Sequence, residues 1–383
     1  MSVAAPGSTW GPVAERIRDE ATDDWNDQVA VDRFTGKGGT FARGRARLVG
    51  PGRVEVDGQE FTARRGVVLA TGSRPAIPPV PGLDRVPYWT NRDAVSAKEP
   101  PASLLVLGGG AIGLELAQAF ARFGTPVTVV EALDRLLPAE EPETGALLAE
   151  VLGAEGIAVR TGARATGVRH DGDGFRLSLD VGDEVTGHRL LVATGRRPVL
   201  AGLGLETVGL DPAARALAVD GQQRAGDRLW AVGDLTGRGL FTHVAMYQAE
   251  IAVRDLLGTP GPDADYRALP RVTFTDPEVG SVGLSERAAR EQGLTVRTGT
   301  ARIPSSTRGW IHKAGNEGLI KLVEDTDRDV LVGATFVGPM GGEVLYGLAV
   351  AVQAEVPVEL LRHMIYAYPT FHRAVEDALR QLR

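Results

Sequence analysis

The stretch from Leu104 to Glu131 limits the possible folds more than any other part of this chain of 383 residues. An apolar run, LLVL, precedes the pattern G-x-G-x-x-G at Gly108, Gly110 and Gly113. A helical pattern follows, and a second apolar run ends at Glu131. This order of strand, glycine turn, helix and strand predicts a parallel βαβ unit of the kind that binds a dinucleotide.

Each residue of the pattern has an expected role in binding a nucleotide. Gly108 permits the tight turn, Gly110 lets the backbone approach a pyrophosphate, and Gly113 lets the helix pack closely on the strand. The amides at the helix start, including that of Ile112, would face the phosphates. Glu131 would accept hydrogen bonds from both ribose hydroxyls and repel a 2'-phosphate, which favours NAD over NADP. The alternative interpretation of the pattern is a glycine turn that binds no ligand. Arg135, four residues after Glu131, is either a surface arginine or a residue that weakens the preference for NAD over NADP.

Composition excludes several classes of protein. The net charge is −7 and the basic residues are scattered, which argues against nucleic acid as a partner. No apolar run reaches the roughly 18 residues of a membrane span, and the first residues lack the apolar core of a signal peptide, so we expect a cytoplasmic protein without membrane contact. The chain has no cysteine, which excludes disulfides, thiolate metal sites and a cysteine nucleophile within it. We expect no metal centre.

The segments outside the glycine pattern indicate further elements. Apolar residues at a spacing of four predict an amphipathic helix from Ser8 to Asp27, and residues 1–40 offer no apolar strand beyond the short Val29 to Val31. Alternating segments between residues 44 and 70 predict a small antiparallel meander that ends in a buried strand. Residues 75–101 are rich in proline, which is typical of a connection between domains.

One phrase occurs twice, as GVVLATGSRP at residues 66–75 and as RLLVATGRRP at residues 189–198. We interpret each copy as the last strand of a dinucleotide-binding domain. Thr71 and Gly72 in the first copy, and Gly195 and Arg197 in the second, would then lie where the backbone passes close to a nucleotide.

These motifs resemble the class I pyridine nucleotide-disulfide oxidoreductases, a family that includes dihydrolipoamide dehydrogenase, glutathione reductase and mercuric reductase. The resemblance is carried by VVLATGSRP, GGGAIGLELA, LLVATGRRP, LWAVGDLTGRGLFTHVA, PRVTFTDPEVGSVGLSE and YAYPTFHRAVEDAL. It implies an α/β fold with two Rossmann-like dinucleotide-binding domains, the FAD one incomplete, and an α+β C-terminal dimerisation domain that forms a homodimer. The expected bounds are 1–97 and 219–268 for FAD binding, 98–218 for NAD binding, and 269–383 for dimerisation.

The resemblance also implies roles for residues outside the glycine pattern. Asp234 corresponds to an aspartate that binds the ribityl chain of FAD, although a helix cap is the alternative, and Gly233 lets the backbone approach that chain. The segment His243, Val244 and Ala245 corresponds to a helix start that faces the flavin pyrimidine ring. Glu115 corresponds to a residue near the contact of nicotinamide and flavin, or is simply a favourable charge at a helix start.

Two departures from the family pattern bear on the activity. No G-x-G-x-x-G and no C-x-x-x-x-C pair precede the first ATG phrase, so we expect an incomplete FAD site and a strand that lacks its parallel neighbour. At the other end, the family's His-Pro-Thr and glutamate are replaced by Tyr368-Pro369-Thr370 and Arg373. Tyr368 and His372 remain as candidate acid-base groups, although a tyrosine is poorly matched to proton transfer at neutral pH and a lone histidine is more often structural.

The sequence therefore predicts a flavin-dependent oxidoreductase that takes a hydride from NADH and passes it to a small-molecule acceptor other than a disulfide. Activity is expected to be impaired in a chain with an incomplete FAD site. The alternative from another class is a dimeric scaffold that binds a nucleotide or a partner without turnover. A third possibility is that a separate polypeptide supplies the first βαβ unit.

Overall fold

The computed structural model describes residues 9–382. The chain forms two compact units, and the domain bounds predicted from the sequence stay a prediction. Unit 1 consists of Met1–Glu15, Ile77–Thr194 and Tyr266–Arg383, and unit 2 of Arg16–Ala76 and Gly195–Asp265.

The described part of the chain contains eleven α-helices and twenty strands. The helices are α1 (Gly11–Arg16), α2 (Gln28–Thr35), α3 (Asn91–Val95), α4 (Ala111–Arg122), α5 (Pro142–Ala154), α6 (Thr242–Leu256), α7 (Glu286–Glu291), α8 (Thr307–His312), α9 (Gly341–Gln353), α10 (Val358–Arg362) and α11 (Arg373–Leu379). The strands are β1 (Ala46–Gly50), β2 (Arg53–Val56), β3 (Gln59–Thr62), β4 (Val67–Leu69), β5 (Ser73–Pro75), β6 (Leu104–Leu107), β7 (Val127–Val130), β8 (Ala158–Arg160), β9 (Ala165–His170), β10 (Phe175–Leu179), β11 (Glu184–Gly187), β12 (Arg189–Val192), β13 (Arg196–Pro198), β14 (Arg224–Gly226), β15 (Leu229–Ala231), β16 (Pro270–Thr273), β17 (Glu278–Gly283), β18 (Val296–Arg302), β19 (Leu319–Asp325) and β20 (Val330–Gly338).

Unit 1 contains a parallel four-stranded sheet in the order β12, β6, β7, β8. All four residues of β6 are buried, as expected for a parallel strand covered on both faces. Helix α4 connects β6 to β7, and the two strands pair in parallel from Leu104 with Val127 to Leu107 with Val130. The βαβ unit predicted from the glycine pattern is thereby confirmed.

The C-terminal part of unit 1 is an antiparallel sheet in the order β16, β17, β20, β19, β18. Every residue of β19 and β20 is buried. Leu345 on α9 and Leu379 on α11 belong to the same apolar core as Ile320 and Phe336 of the sheet. Helices therefore cover this sheet, and the α+β character expected for residues 269–383 is observed.

Ion pairs within unit 1 join the parallel sheet region to the C-terminal region. The ammonium of Lys321, on β19, lies 3.0 Å from a carboxylate oxygen of Glu141 and 2.9 Å from one of Glu143, at the start of α5. It also lies 2.9 Å from Glu286 on α7. Lys321 is only 3% exposed. Its surroundings are therefore anionic, and burial alone would lower the pKa of Lys321, but the three carboxylates outweigh burial and raise it.

Unit 2 contains three small sheets. Strands β1, β2 and β3 form the predicted antiparallel meander, and β4 pairs in parallel with β15 in the sheet β14, β15, β4. Strand β15 thus occupies one edge of β4, and the parallel neighbour that the sequence predicts to be missing would lie along the other edge. No strand of the described part pairs with the other edge of β4, and Val68 is exposed there.

The N-terminal helix predicted from Ser8 to Asp27 is wrong in extent over its described residues, and Ser8 lies outside them. Helix α1 ends at Arg16, and a π-helical turn follows over Ile17–Ala21. Asp23, Asp24 and Trp25 then adopt positive φ, which ends the helix, and Trp25 is exposed. The apolar segment Val29 to Val31 lies within α2 and is not a strand.

Trp10 anchors the beginning of the described chain to unit 1. Its ring stacks on Phe120 with 4.9 Å between centroids and meets Phe123 edge-on at 5.2 Å. Its indole N–H donates to the carbonyl of Ala97 at 2.7 Å. The ring of Trp10 is therefore packed in the core, and its N–H has a hydrogen-bond acceptor there.

Within residues 9–382, none of the helices has the length and hydropathy needed to cross a membrane.

Candidate dinucleotide site

The glycine loop follows β6 and lies against the second ATG phrase. Gly108 has a φ of +117°, and its N–H donates to the carbonyl of Val130 at 2.8 Å. A Cβ at Gly108 would lie 2.4 Å from the carbonyl oxygen of Ala193. Ala193 in turn donates its N–H to Leu107 at 2.8 Å. Gly108 is therefore a glycine both because its φ is positive and because the backbone of the Ala-Thr-Gly phrase lies where a side chain would be.

Gly113 and Gly110 meet different surroundings. A Cβ at Gly113 would lie 2.1 Å from the carbonyl oxygen of Gly108, so the helix can approach the loop only without a side chain there. A Cβ at Gly110, the N-cap of α4, would meet no protein atom within 4 Å. The backbone at Gly110 is therefore open on the side from which a ligand would approach, next to the amides of the first helical turn, including that of Ile112.

Glu131 follows β7 and is buried beside the loop. Its Oε2 accepts the N–H of Gly109 at 2.7 Å, and its Oε1 accepts the N–H of Leu133 at 2.8 Å. The sequence predicted ribose binding for this carboxylate but not these two bonds to the backbone. Because each carboxylate oxygen has two lone pairs, acceptor capacity for ribose hydroxyls remains. Its role as the ribose acid stays a prediction.

Glu115 lies on the second turn of α4. Its Oε1 accepts the N–H of Phe274, the residue after β16, at 2.8 Å. Burial raises the pKa of this carboxyl, and the hydrogen bond from Phe274 opposes that shift in part. Glu115 therefore joins α4 to the C-terminal region of unit 1, and its position near the nicotinamide stays a prediction.

In unit 2, Asp234 belongs to a network with Ser73 and Arg196. The hydroxyl of Ser73 donates to Oδ2 of Asp234, and Nε of Arg196 donates to the Ser73 hydroxyl at 2.9 Å. A second guanidinium nitrogen of Arg196 donates to the carbonyl of Ser73 at 2.9 Å. Asp234 lies inside a 3₁₀ turn over Gly233–Thr236, so the alternative of a helix cap is not what the structure shows.

The two copies of the repeated phrase pair with each other. Strands β5 and β13 form an antiparallel ladder in which Pro198 lies opposite Ser73 and Arg197 opposite Arg74. Arg197, the predicted site residue, is exposed, whereas its neighbour Arg196 contacts Ser73. Sequence reasoning missed Ser73 and Arg196, although the alternation of side chains along a strand separates Arg196 from Arg197.

Gly72 and Gly195 directly precede strands β5 and β13 of this ladder. Gly72 and Gly195 have φ of +70° and +111°, and the carbonyl of Gly195 accepts the N–H of Ala76 at 2.9 Å. Thr71, just before Gly72, is exposed. Their predicted proximity to a nucleotide stays a prediction.

Helix α6 begins at Thr242, close to the predicted flavin-facing segment. The ring of His243 stacks on that of Phe241 with 5.1 Å between centroids, Val244 is buried and Ala245 is half-buried. The N–H of Gly233 donates to the side-chain oxygen of Gln248 on the same helix at 2.6 Å. This bond ties the Gly233 turn to α6.

At the C-terminal end, Tyr368 and His372 are both exposed. His372 directly precedes α11 as its N-cap and makes no side-chain capping bond. Arg373, which stands where the family has a glutamate, forms an ion pair with Glu376 on its own helix. The roles of Tyr368 and His372 as acid-base groups stay predictions.

Within residues 9–382, no group of three or more histidine, aspartate or glutamate side chains is arranged to hold a metal ion.

The glycine loop, the parallel sheet and the antiparallel C-terminal sheet define an α/β protein with a Rossmann-like βαβ unit and an added α+β region. Residues 9–249 match the family model described as pyridine nucleotide-disulphide oxidoreductase, and residues 269–379 match the dimerisation domain of that family. The chain belongs to the pyridine nucleotide-disulphide oxidoreductase family. The resemblance and the fold class predicted from the sequence are thereby confirmed, whereas the incompleteness of the FAD domain stays a prediction.

Curated relatives carry two names within this family. A mercuric reductase from Bacillus cereus is 31% identical over 99% of this chain, which spans 60% of that protein. A dihydrolipoyl dehydrogenase from Thermus scotoductus is 35% identical over 94% of this chain, which spans 80% of that protein. The chain is therefore shorter than these relatives, by different amounts.

Solved structures share the fold. The flavoprotein disulfide reductase RclA from Escherichia coli, described as induced by HOCl, superposes with a TM-score of 0.87 at 25% identity, over 99% of this chain and 88% of that one. LpdA from Mycobacterium tuberculosis superposes with a TM-score of 0.84 at 28% identity, over 98% and 84%. The similarity extends over nearly the whole of this chain.

Proposed function

We propose that this protein binds NADH at the glycine loop and, together with FAD, transfers a hydride to a small-molecule acceptor that is not a disulfide. The observation that carries the proposal is the geometry of the loop. The space beside Gly110 is free of protein atoms, whereas the backbone of Gly108 fills the space beside Gly113. The acidic side chain of Glu131 lies buried at the end of the next strand. These are the features that a pyrophosphate and an adenosine ribose require.

The residues of unit 1 fit NAD. The first amides of α4 have no partner within the helix, and the helix dipole favours an anion beside them. Gly110 leaves room for that anion. The negative charge of Glu131 would repel a 2'-phosphate, which supports NADH rather than NADPH.

The residues of unit 2 fit the ribityl and pyrimidine parts of FAD. Asp234 is a half-buried acceptor whose position is fixed by Ser73, and the adjacent Gly233 is bonded to α6, whose N-terminus at Thr242 carries the positive end of the helix dipole. When bound, the nicotinamide and the flavin supply hydride-transfer chemistry, and the protein supplies binding and orientation.

The proposal of an acceptor other than a disulfide rests on side chains near the C-terminus. A reductase of disulfides needs a group that shuttles a proton to and from a thiol near neutral pH. At the corresponding positions this chain has Tyr368, which is exposed, and Arg373, which is half-buried and paired with Glu376. Reduction of a small quinone or dye does not require the His-Glu acid-base pair that the family's disulfide reductases use.

We also propose that the protein is a homodimer, as the dimerisation-domain match indicates for the family. The C-terminal region exposes many large apolar side chains, which is typical of an interaction surface. They are Phe274, Trp310, Ile311, Met340, Tyr346, Val350, Leu360, Met364, Ile365 and Tyr368.

Two measurements on the purified protein test the proposed function. NADH and NADPH binding are measured by titration of the fluorescence of the reduced cofactor. NADH oxidation is then followed with FAD added, using a benzoquinone or a small oxidised dithiol as the acceptor. We expect NADH to bind more tightly than NADPH, and we expect the quinone but not the disulfide to be reduced.

Absence of NADH binding would refute the proposal at its first step. Reduction of the disulfide as fast as the quinone would refute the proposed acceptor class. NADH binding without any turnover in the presence of FAD would favour the alternative of a nucleotide-binding scaffold.

A further inference from the structure

We propose that Glu131 is a positioning residue for the glycine loop as well as the acid that selects the cofactor. The inference deepens the proposed NADH site and rests on it for the part that concerns affinity. It follows that removing the charge of Glu131 would disorder the loop and would not convert the site to NADPH.

The carboxylate of Glu131 is committed to the backbone on both oxygens. Oε2 accepts from Gly109, the middle residue of the first three glycines, at 2.7 Å, and Oε1 accepts from Leu133 at 2.8 Å. Glu131 is 9% exposed. Hydrogen bonds from amides to a carboxylate are stronger than those between neutral groups, and burial reduces competition from water.

Gly109 is also held from two other directions. Its carbonyl accepts the N–H of Leu137 at 2.9 Å. A Cβ at Gly109 would lie 2.7 Å from Cδ2 of the buried Leu136 and 3.1 Å from Cβ of Glu131. Residues 131–137, which we call the clamp segment, thus enclose the middle of the loop by two hydrogen bonds and by packing.

The two possible roles of Glu131 predict opposite effects of Glu131→Gln on NADPH. If the side chain only bound ribose, glutamine would still offer an oxygen and two N–H groups, and NADPH would bind better without the repelling charge. If it also shapes the loop, the amide nitrogen of glutamine would face a backbone N–H, because only one of its two terminal atoms accepts. One backbone bond would then be lost, and both cofactors would bind more weakly.

The experiment compares Glu131→Gln with Asp134→Asn. Asp134 lies in the same clamp segment, its side chain is 85% exposed, and its substitution removes the same charge without touching the loop. Hydrogen exchange of residues 104–114 is measured by mass spectrometry without cofactor, and dissociation constants for NADH and NADPH are measured by fluorescence. For Glu131→Gln we expect faster exchange in this segment and a loss of about tenfold or more for NADH, with no gain for NADPH. Asp134→Asn should match the wild type within about twofold.

A second variant tests the clamp from the loop side while Glu131 stays in place. Gly109→Ala adds a methyl group against Leu136 and Glu131, and we expect the same faster exchange and weaker NADH binding. If Glu131→Gln leaves the exchange of residues 104–114 unchanged, or if it binds NADPH more tightly than the wild type, the inference is wrong. If the wild type binds neither cofactor, the proposed function fails at its NADH step, and the exchange measurement still decides the role of Glu131 in the loop.

Discussion

At the residue scale, Gly110 and Gly113 belong to one motif but are glycines for different reasons. Gly113 has the carbonyl oxygen of Gly108 where its Cβ would be, so protein atoms alone exclude a side chain. Gly110 has no protein atom within 4 Å of that position. Backbone strain does not require glycine at Gly110, since its φ of −84° is available to any residue, and the two remaining reasons are its N-cap position and the approach of a ligand.

These surroundings predict that Gly113→Ala and Gly110→Ala have different effects. Gly113→Ala should lower the free energy of unfolding by about 1 to 3 kcal/mol, because the new methyl group overlaps the backbone. Gly110→Ala should cost no more than about 1 kcal/mol, the difference between glycine and alanine at an N-cap, but should weaken NADH binding at least tenfold. Urea denaturation and fluorescence titration measure the two quantities. If Gly110→Ala binds NADH as tightly as the wild type, the pyrophosphate does not approach this part of the loop.

At the scale of elements, Lys321 connects strand β19 to the starts of α5 and α7. Its ammonium contacts Glu141, Glu143 and Glu286, and Glu141 is itself buried. Breaking a buried ion pair by removing one partner leaves an uncompensated charge, which is more costly than losing a pair on the surface.

We therefore expect Lys321→Met to lower the free energy of unfolding by about 3 kcal/mol. The control Arg287→Met, which removes an exposed pair with Glu291, should cost about 0.5 kcal/mol or less.

The pKa of Lys321 is raised, so its stabilising effect is present throughout the neutral range and is lost only at high pH. The hydrogen bond from Lys321 lowers the pKa of Glu286, so that contribution is present above the usual glutamate pKa of about 4.3 and is lost as the pH falls below it. Urea denaturation should accordingly give a constant difference between pH 6 and 9 that shrinks below about pH 4, and equal losses in the two variants would contradict the prediction.

At the scale of the whole molecule, the C-terminal region of unit 1 exposes large apolar side chains that the rest of the described chain leaves uncovered. Ile365 is 98% exposed and Tyr346 is 73% exposed. Such exposure is unusual for large apolar residues and supports a second subunit as their cover.

If this surface forms the dimer, Ile365→Asp should weaken association by about 2 kcal/mol, roughly thirtyfold in Kd. Val253→Asp is the matched control, because Val253 is a half-exposed apolar residue on α6 in unit 2. Light scattering after size-exclusion chromatography measures the oligomeric state over a range of protein concentrations. A dimer that dissociates equally in both variants, or in neither, would place the interface elsewhere.

The sequence predicted the secondary structure most accurately where the local residue pattern and the tertiary environment favour the same element. The strands β6 and β7 and helix α4 were predicted because an apolar run, three glycines and an amphipathic stretch specify one βαβ unit without help from distant residues. The N-terminal helix was predicted too long, because a spacing of four residues does not reveal that Asp23 and Asp24 take positive φ and end it. The segment Val29 to Val31 was too short for its apolar residues to distinguish strand from helix.

The sequence alone determined that this chain carries a βαβ unit with a glycine loop, belongs to an oxidoreductase family and contains no thiol, since these depend on residue type and spacing. Only the tertiary structure decided that the two ATG phrases pair with each other, and that Arg196 rather than Arg197 reaches Ser73. It also decided that both oxygens of Glu131 bind the backbone. The reason is physical: spacing along a chain fixes which residues share a strand or a helix face, but residues on different elements meet only when the folded backbone brings them within hydrogen-bonding distance.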